Sequence, residues 1–229
     1  MPNNIILVKP INFRFGDYIS NAFNLYKENF GNMLLATIFV FILSIIPFCG
    51  MMAIGNFYKY CRKVKNGIAA EPAEIFNFDD FSKYILVQII MLGLGFAILL
   101  PMLFLAPLIS HYGDQSGSLG LMILASYAFV VFAAILYFAV KIFYISGLIA
   151  FLGISDFNTL WKMSSEMSKG NFLQIIFFAI VVSIIAELGV IACGVGIIFT
   201  IPIYYISYYF ANEDAVDQIT PNVEPEQKF

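Results

Sequence analysis

Long apolar runs separated by short polar segments dominate the pattern of this chain. A helix needs about 20 apolar residues to cross about 30 Å of hydrocarbon. Four hydrophobic blocks approach or exceed that length, and they cover residues 33–57, 84–110, 119–153 and 172–210. The pattern therefore predicts an all-α, polytopic helical membrane bundle, with residues 1–210 forming a single integral membrane domain.

The three longer blocks are expected to cross the membrane in different ways. The second block predicts one tilted span, and the third predicts a span over Leu119–Val140 that continues as a helix along the interface after Lys141. The fourth block is too long for one span and predicts a helical hairpin that turns near Gly189–Gly196. We expect Gly194, Gly196 and Pro202 to shape that turn.

The first block leaves two arrangements open. A single crossing would place Lys9, Arg14 and Lys27 outside, against the usual enrichment of basic residues in the cytoplasm. A hairpin or re-entrant turn at Pro47–Gly50 keeps them inside and is favoured. The chain is then expected to have about five to six membrane segments.

Two polar-apolar segments between the blocks have helical periodicity. Residues 11–30 and 154–170 are expected to form amphipathic helices on the membrane surface, with Trp161 at the interface. The acidic, proline-containing tail over 211–229 is expected to be disordered. The first thirty residues lack the short apolar run of a cleavable signal peptide.

Composition strengthens the membrane assignment. Hydrophobic residues make up 61% of the 229 residues and charged residues only 12%, whereas soluble domains are about 45–50% apolar and about 25% charged. This excludes an ordinary soluble enzyme, a disordered chain and a nucleic-acid binder. The formal net charge of −3 does not indicate a charged macromolecular partner.

Basic residues set the expected orientation. Lysine and arginine are concentrated in segment 57–83 and recur in 154–171, whereas 111–118 holds neither. The first two segments are thus expected in the cytoplasm, with a cytoplasmic C-terminus and a location in the bacterial inner membrane.

An internal repeat is also favoured. An Asn-Phe pair precedes an apolar run and a Cys-Gly pair twice, at Asn29 and Cys49 and again at Asn171 and Cys193. Each unit would hold a surface helix, a span, a turn and a return arm. Chance similarity between apolar runs is the alternative.

Several motifs resemble known families. They are Gly194-x-Gly196-x-x-x-Thr200-x-Pro202 with its tyrosine-rich end, Ser165-x-x-Ser168-Lys169-Gly170-Asn171-Phe172, and the loop from Gly55 through the acidic-aromatic stretch Glu74–Phe81. Together they resemble the uncharacterised bacterial multi-pass families that include YciC-like proteins and the membrane domain of some glycerophosphodiester phosphodiesterases. The resemblance implies a multi-pass helical fold and no catalytic motif.

Few polar residues lie within the blocks. Glu187, Lys141 and Gln174 are candidates for transport or lipid contact. For Glu187 a wetted position at the outer interface is the alternative, and for Lys141 a snorkelling side chain. Cys49 and Cys193 would pair only if both outer turns meet in an oxidising compartment.

These observations exclude more than they identify. One histidine, His111, and three scattered cysteines cannot easily build a metal site, so no metal or other cofactor is expected. We expect no enzymatic activity. The expected function is that of an accessory or assembly subunit, with membrane lipids as partners and with a protein partner either in the membrane or at loop 57–83. The alternative is a small transporter or lipid-handling protein, which would place Glu187 and Gln174 in one cavity.

Overall fold

The chain folds into a bundle of helices. A computed structural model describes residues 8–112, 117–191 and 196–221, and this part of the chain contains no strand. The helices are α1 (Phe15–Glu28), α2 (Phe30–Ile45), α3 (Gly50–Lys65), α4 (Phe81–Tyr112), α5 (Gly117–Ile142), α6 (Ile145–Leu152), α7 (Phe157–Met167), α8 (Phe172–Ile191) and α9 (Ile197–Ile219), and a 3₁₀ turn covers Pro72–Phe76. The predicted all-α class is confirmed.

Three stretches are long and apolar enough to cross a membrane. They are Phe81–Pro101 in α4, Ala125–Leu152 across α5 and α6, and Phe172–Gly189 in α8. The pair α1–α2 would be a fourth if counted as one span, but its two helices meet at 108°. The structure thus supports three to four spans of this kind, fewer than the five to six membrane segments expected.

The first hydrophobic block forms a short hairpin of α2 and α3. The chain reverses at Ile46–Cys49, where Phe48 has a φ of 65°. Each arm has 16 residues, which corresponds to about 24 Å of helix and falls short of about 30 Å of hydrocarbon. The tip is apolar, and Ile45 is 77% exposed.

A polar loop runs beside the part of this hairpin that lies away from its tip. The Asn56 amide donates to the carbonyl oxygen of Ile75 at 3.0 Å, and Lys63 Nζ lies 2.9 Å from a carboxylate oxygen of Glu74. Asn56 lies seven residues from Cys49, so the hairpin extends only about 10 Å past this loop. The acidic loop therefore limits how deep the hairpin can enter a membrane.

The end of the third block lies in the core and not along an interface. A turn at Phe143–Tyr144 separates α5 from α6, and Ile145, Leu148 and Ile149 of α6 are fully buried. The backbone N–H of Gly147 donates to Asn212 of α9 at 3.2 Å. Apolar residues on every face of α6 can all be buried because α3 and α9 flank it.

The expected disorder of 211–229 is wrong for its first part. Helix α9 continues to Ile219, and Ala211, Ala215, Val216 and Ile219 are buried. These apolar residues recur at helical spacing and pack beside α1, while the intervening acidic residues pair with Arg14, just before α1, and with basic side chains of α3. Residues 222–229 lie outside the described part of the chain.

The two amphipathic segments form helices as predicted, α1 and α7. Helix α1 buries Tyr18, Ala22 and Leu25, and α7 buries Leu160 and other residues. In element order, α1–α2–α3 and α7–α8–α9 each place an amphipathic helix before two further helices, and the internal repeat stays a prediction.

Candidate functional site

An apolar groove with an aromatic wall lies within the bundle. It has a volume of about 560 Å³ and is bounded by α3, α5, α6, α8 and α9. Its aromatic wall consists of Tyr58, Tyr204, Tyr205 and Tyr208. The remaining lining is aliphatic or phenylalanine, apart from Ser146, and none of the described residues that line it is charged.

The tyrosine wall follows from the sequence of α9. Residues at positions i, i+1 and i+4 lie on one side of a helix, so Tyr204, Tyr205 and Tyr208 share a face. The ring centroids of Tyr204 and Tyr208 are 4.7 Å apart, and those of Tyr204 and Tyr205 are 5.3 Å apart. The opposite walls carry small residues, Ala139 on α5 and Ala179 on α8, which leave the space open.

The groove has the height of one bilayer leaflet. Along α5 the lining of the groove extends from Phe132 to Ile142, a separation of ten residues or about 15 Å of helix. Half of a hydrocarbon core is also about 15 Å. Phe132 on α5 and Ile180 on α8 are more than half exposed, so the groove opens sideways between these two helices.

A buried ion pair joins α3 to α9 at the base of the bundle. Arg62 Nε donates to Glu213 at 3.2 Å, and both side chains are only 4% and 5% exposed. The guanidinium carbon lies 3.5 Å from the ring centroid of Phe151. Lys65 Nζ approaches the second carboxylate oxygen of Glu213 at 2.7 Å. The arrangement compensates a buried charge and fixes two helix ends against each other.

The N-terminal segment joins the same base. Arg14 and Tyr18 both bind Asp214, with the Tyr18 hydroxyl donating at 2.6 Å. The backbone N–H of Asn12 donates to Gln218 at 2.9 Å. Beside them is a cavity of about 430 Å³ whose charged lining comprises five acidic residues, two basic ones and no histidine.

Loop residue Asp80 has two lysine partners, Lys59 and Lys83. Burial raises the pKa of its carboxyl group, but the hydrogen bonds from the two lysines outweigh that effect, so the pKa lies below its usual value.

Within the described part of the chain, no three His, Cys, Asp or Glu side chains are placed to hold a metal ion.

The structure separates the residues predicted for transport. Glu187 and Gln174 are exposed on α8 and line neither the groove nor the charged cavity. Thirteen residues apart, they point about 140° away from each other around the helix. The shared cavity expected of a transporter is therefore not formed by them. Lys141 instead reaches α7, where its Nζ lies 3.4 Å from the carbonyl oxygen of Ser165.

The predicted turn residues have mixed outcomes. Gly196 directly precedes α9, near the close approach of α8 and α9 at Gly189. Pro202 is buried inside α9 and does not belong to the turn, because the helix already begins at Ile197. Gly194 and Cys193 lie outside the described residues; Cys49 is a free, buried thiol, in line with the packing role that is the alternative to its pairing with Cys193.

Sequence reasoning did not identify the groove or the buried ion pair. The spacing of the three tyrosines on α9 was visible as a signal. No local sequence pattern could pair Arg62 with Glu213, because the two residues lie 151 positions apart in the chain.

Comparison with known proteins identifies no relative. No protein-family model, no curated protein sequence and no solved structure matches this chain. The resemblance to YciC-like proteins and to phosphodiesterase membrane domains stays an expectation.

Proposed function

We propose that this chain is a non-enzymatic integral membrane protein that holds the hydrocarbon chain of a membrane lipid in its aromatic groove. The observation that carries the proposal is an uncharged groove of leaflet height that opens sideways from the bundle. It develops the lipid-handling alternative from the sequence.

The lining matches a hydrocarbon occupant. Ligand sites usually measure about 300–1,000 Å³, and the groove, at about 560 Å³, falls within that range. An ionised group would lose its hydration there without gaining a counter-charge. A lipid chain pays no desolvation cost on entry, because it comes from an equally apolar surrounding, and the tyrosine rings offer it a rigid contact surface.

The groove supports binding better than chemistry. Its polar groups are tyrosine and serine hydroxyls, and no described lining residue is a histidine, carboxylate or lysine that could activate one of them as a nucleophile. We therefore assign it no reaction.

The topology proposed with this function has the three apolar spans of α4, α5 and α8, a re-entrant hairpin, and α9 as a fourth crossing, because α9 packs against α8 and returns the chain to the base. Hairpin α2–α3 would enter only the leaflet next to the charged base, because the polar loop beside Asn56 stops it. Both termini then lie on the side of the base. The basic residues concentrated there support a cytoplasmic base, as in a bacterial inner-membrane protein.

Lipid retention tests the proposal. Ala179 lines the groove, and Ala179→Phe would fill it, whereas Ala133 of α5 does not line it, so Ala133→Phe is a control of the same size. After mild-detergent purification, native mass spectrometry should find lipid bound to wild type and Ala133→Phe and at least fivefold less bound to Ala179→Phe. Equal retention by all three would contradict the proposal.

The same preparation addresses the accessory or assembly role expected from the sequence. In-cell crosslinking before purification would capture a protein held at loop 57–83. A stoichiometric protein partner together with an empty groove would favour that role over lipid binding.

A further inference from the structure

A second, open cleft lies beside α7, away from the groove. We call it the α7 cleft; it measures about 660 Å³ and is lined by Val8, Trp161, Lys162, Met163, Ser165, Glu166 and Lys169. Its walls come from the N-terminal segment and from one face of the amphipathic helix. Unlike the groove, it combines cationic side chains with an indole ring.

The charge of the α7 cleft is positive. Lys162 and Lys169 are exposed, and Lys141 of α5 reaches to within 3.4 Å of the Ser165 carbonyl oxygen at its edge. Glu166 is the single acidic residue among the described lining, and its carboxylate pairs with Lys169 at 2.5 Å. The lining itself therefore has one excess positive charge, and Lys141 adds a second at its edge.

A shielded hydroxyl group in the cleft has no partner. Ser165 Oγ is buried from solvent and makes no hydrogen bond within the described part of the chain. Other buried side-chain oxygens, such as those of Tyr60 and Tyr84, share this state, so the Ser165 hydroxyl does not by itself mark a ligand site. The ammonium groups of Lys162 and Lys169, which are exposed in the cleft, can each donate to a phosphate oxygen.

Aromatic contacts place the α7 cleft at the end of a spanning helix. The ring of Trp161 stacks on Phe157 at 6.2 Å and lies 5.9 Å from Phe138 of α5. Tryptophan favours the level of lipid headgroups, where its ring is half buried and its N–H is wet. The lysines of the cleft then lie at the height of lipid phosphates.

The other side of the base has the opposite charge. The cavity near α1 is lined by Asp17, Glu28, Glu213, Asp214 and Asp217 against two basic residues, an excess of three negative charges. An anion at the base is thus repelled from the α1 side and attracted to the α7 side.

From these contacts we infer that the α7 cleft binds the phosphate of an anionic phospholipid in the leaflet that meets the base of the molecule. Lys162 and Lys169 supply the charge and donate to the phosphate oxygens, and Trp161 covers the glycerol region. This assignment needs the proposed membrane placement but does not need an occupied groove.

The test measures lipid preference in vesicles. The purified protein is reconstituted in phosphatidylcholine with one-fifth phosphatidylglycerol, re-extracted and examined by native mass spectrometry. Each surface lysine near an anionic membrane contributes about fivefold to binding. Because Lys169 is already paired, the double variant Lys162→Gln/Lys169→Gln should lose at least fivefold of its bound phosphatidylglycerol. Ser165→Ala, which removes only a hydroxyl group shielded from the cleft, should keep the phosphatidylglycerol preference.

Controls separate the alternatives. Lys59→Gln/Lys63→Gln removes two lysines elsewhere at the base and should keep the phosphatidylglycerol preference, as should the groove variant Ala179→Phe. The inference is overturned if the Lys162→Gln/Lys169→Gln variant retains as much phosphatidylglycerol as wild type. It is also overturned if inorganic phosphate at equal concentration displaces the lipid fully, since the cleft would then recognise free phosphate. Loss of preference in Ala179→Phe alone would assign headgroup selection to the groove.

Discussion

Replacement of Glu213 by glutamine tests whether the base of the bundle depends on its buried ion pair. The change keeps the size of the side chain and removes its charge, which leaves Arg62 as a cation that is only 4% exposed. Removal of one partner from a buried pair costs about 3–5 kcal/mol. Asp217, 3.7 Å from the guanidinium, offers partial compensation, so we expect the lower end, about 3 kcal/mol.

A surface pair in the same region is the matched control. Lys63 and Glu74 are 35% and 36% exposed, and such pairs contribute about 0–1 kcal/mol. Glu74→Gln should thus lower the free energy of unfolding by less than about 1 kcal/mol. The double variant Arg62→Met/Glu213→Leu, which removes both buried charges, should be more stable than Glu213→Gln alone.

Reversible unfolding in mixed detergent micelles, followed by circular dichroism, gives these free energies. The chain contains one tryptophan, Trp161 in α7, and its fluorescence provides a second probe of the same transition. If Glu213→Gln falls within about 0.5 kcal/mol of Glu74→Gln, the pair is not buried and the docking of α3 on α9 described above is wrong.

Three further predictions concern packing, pH and topology. A Cβ atom at Gly55 would overlap the hydroxyl of Tyr84, so Gly55→Ala should lower the unfolding free energy by about 1–3 kcal/mol. Gly93 lies in open surroundings, and Gly93→Ala should raise the unfolding free energy by about 0.5–1 kcal/mol. Equal effects of the two variants would contradict the α3–α4 contact. The pKa of Asp80 is lower in the folded than in the unfolded protein, so its stabilisation is present above its unfolded pKa of about 3.9 and is lost as pH falls through the folded value. Asp80→Asn should therefore flatten the loss of unfolding free energy below about pH 4, and an unchanged acid profile would count against the lysine contacts. In a background without other cysteines, Phe48→Cys should resist a membrane-impermeant maleimide from both sides, and labelling from the outer side would show that the hairpin spans the membrane.

The helical hairpins were accessible from sequence because their signals are local. Pro47–Gly50 interrupts an apolar run, and the structure reverses the chain at Ile46–Cys49. The glycines after Gly189 likewise mark a break between two apolar helices, and α8 and α9 flank that break.

Long-range pairing explains what the sequence missed. The acidic residues of α9 suggested a solvated tail, because their basic partners lie about 150 to 200 positions earlier in the chain. The hydropathy of α6 predicts burial but cannot distinguish lipid from protein as its surrounding. The groove likewise depends on the space between five helices, which no single segment encodes.

Photocrosslinking with a lipid that carries a diazirine in its acyl chain tests the central claim most directly. The protein is labelled in native-like vesicles, digested and mapped by mass spectrometry. The account predicts that crosslinks concentrate at groove residues such as Ala179, Ile176 and Tyr204, well above the level at Leu173 and Phe177 on the exposed face of α8. Labelling that is no denser in the groove than on that exposed face would contradict lipid binding in the groove.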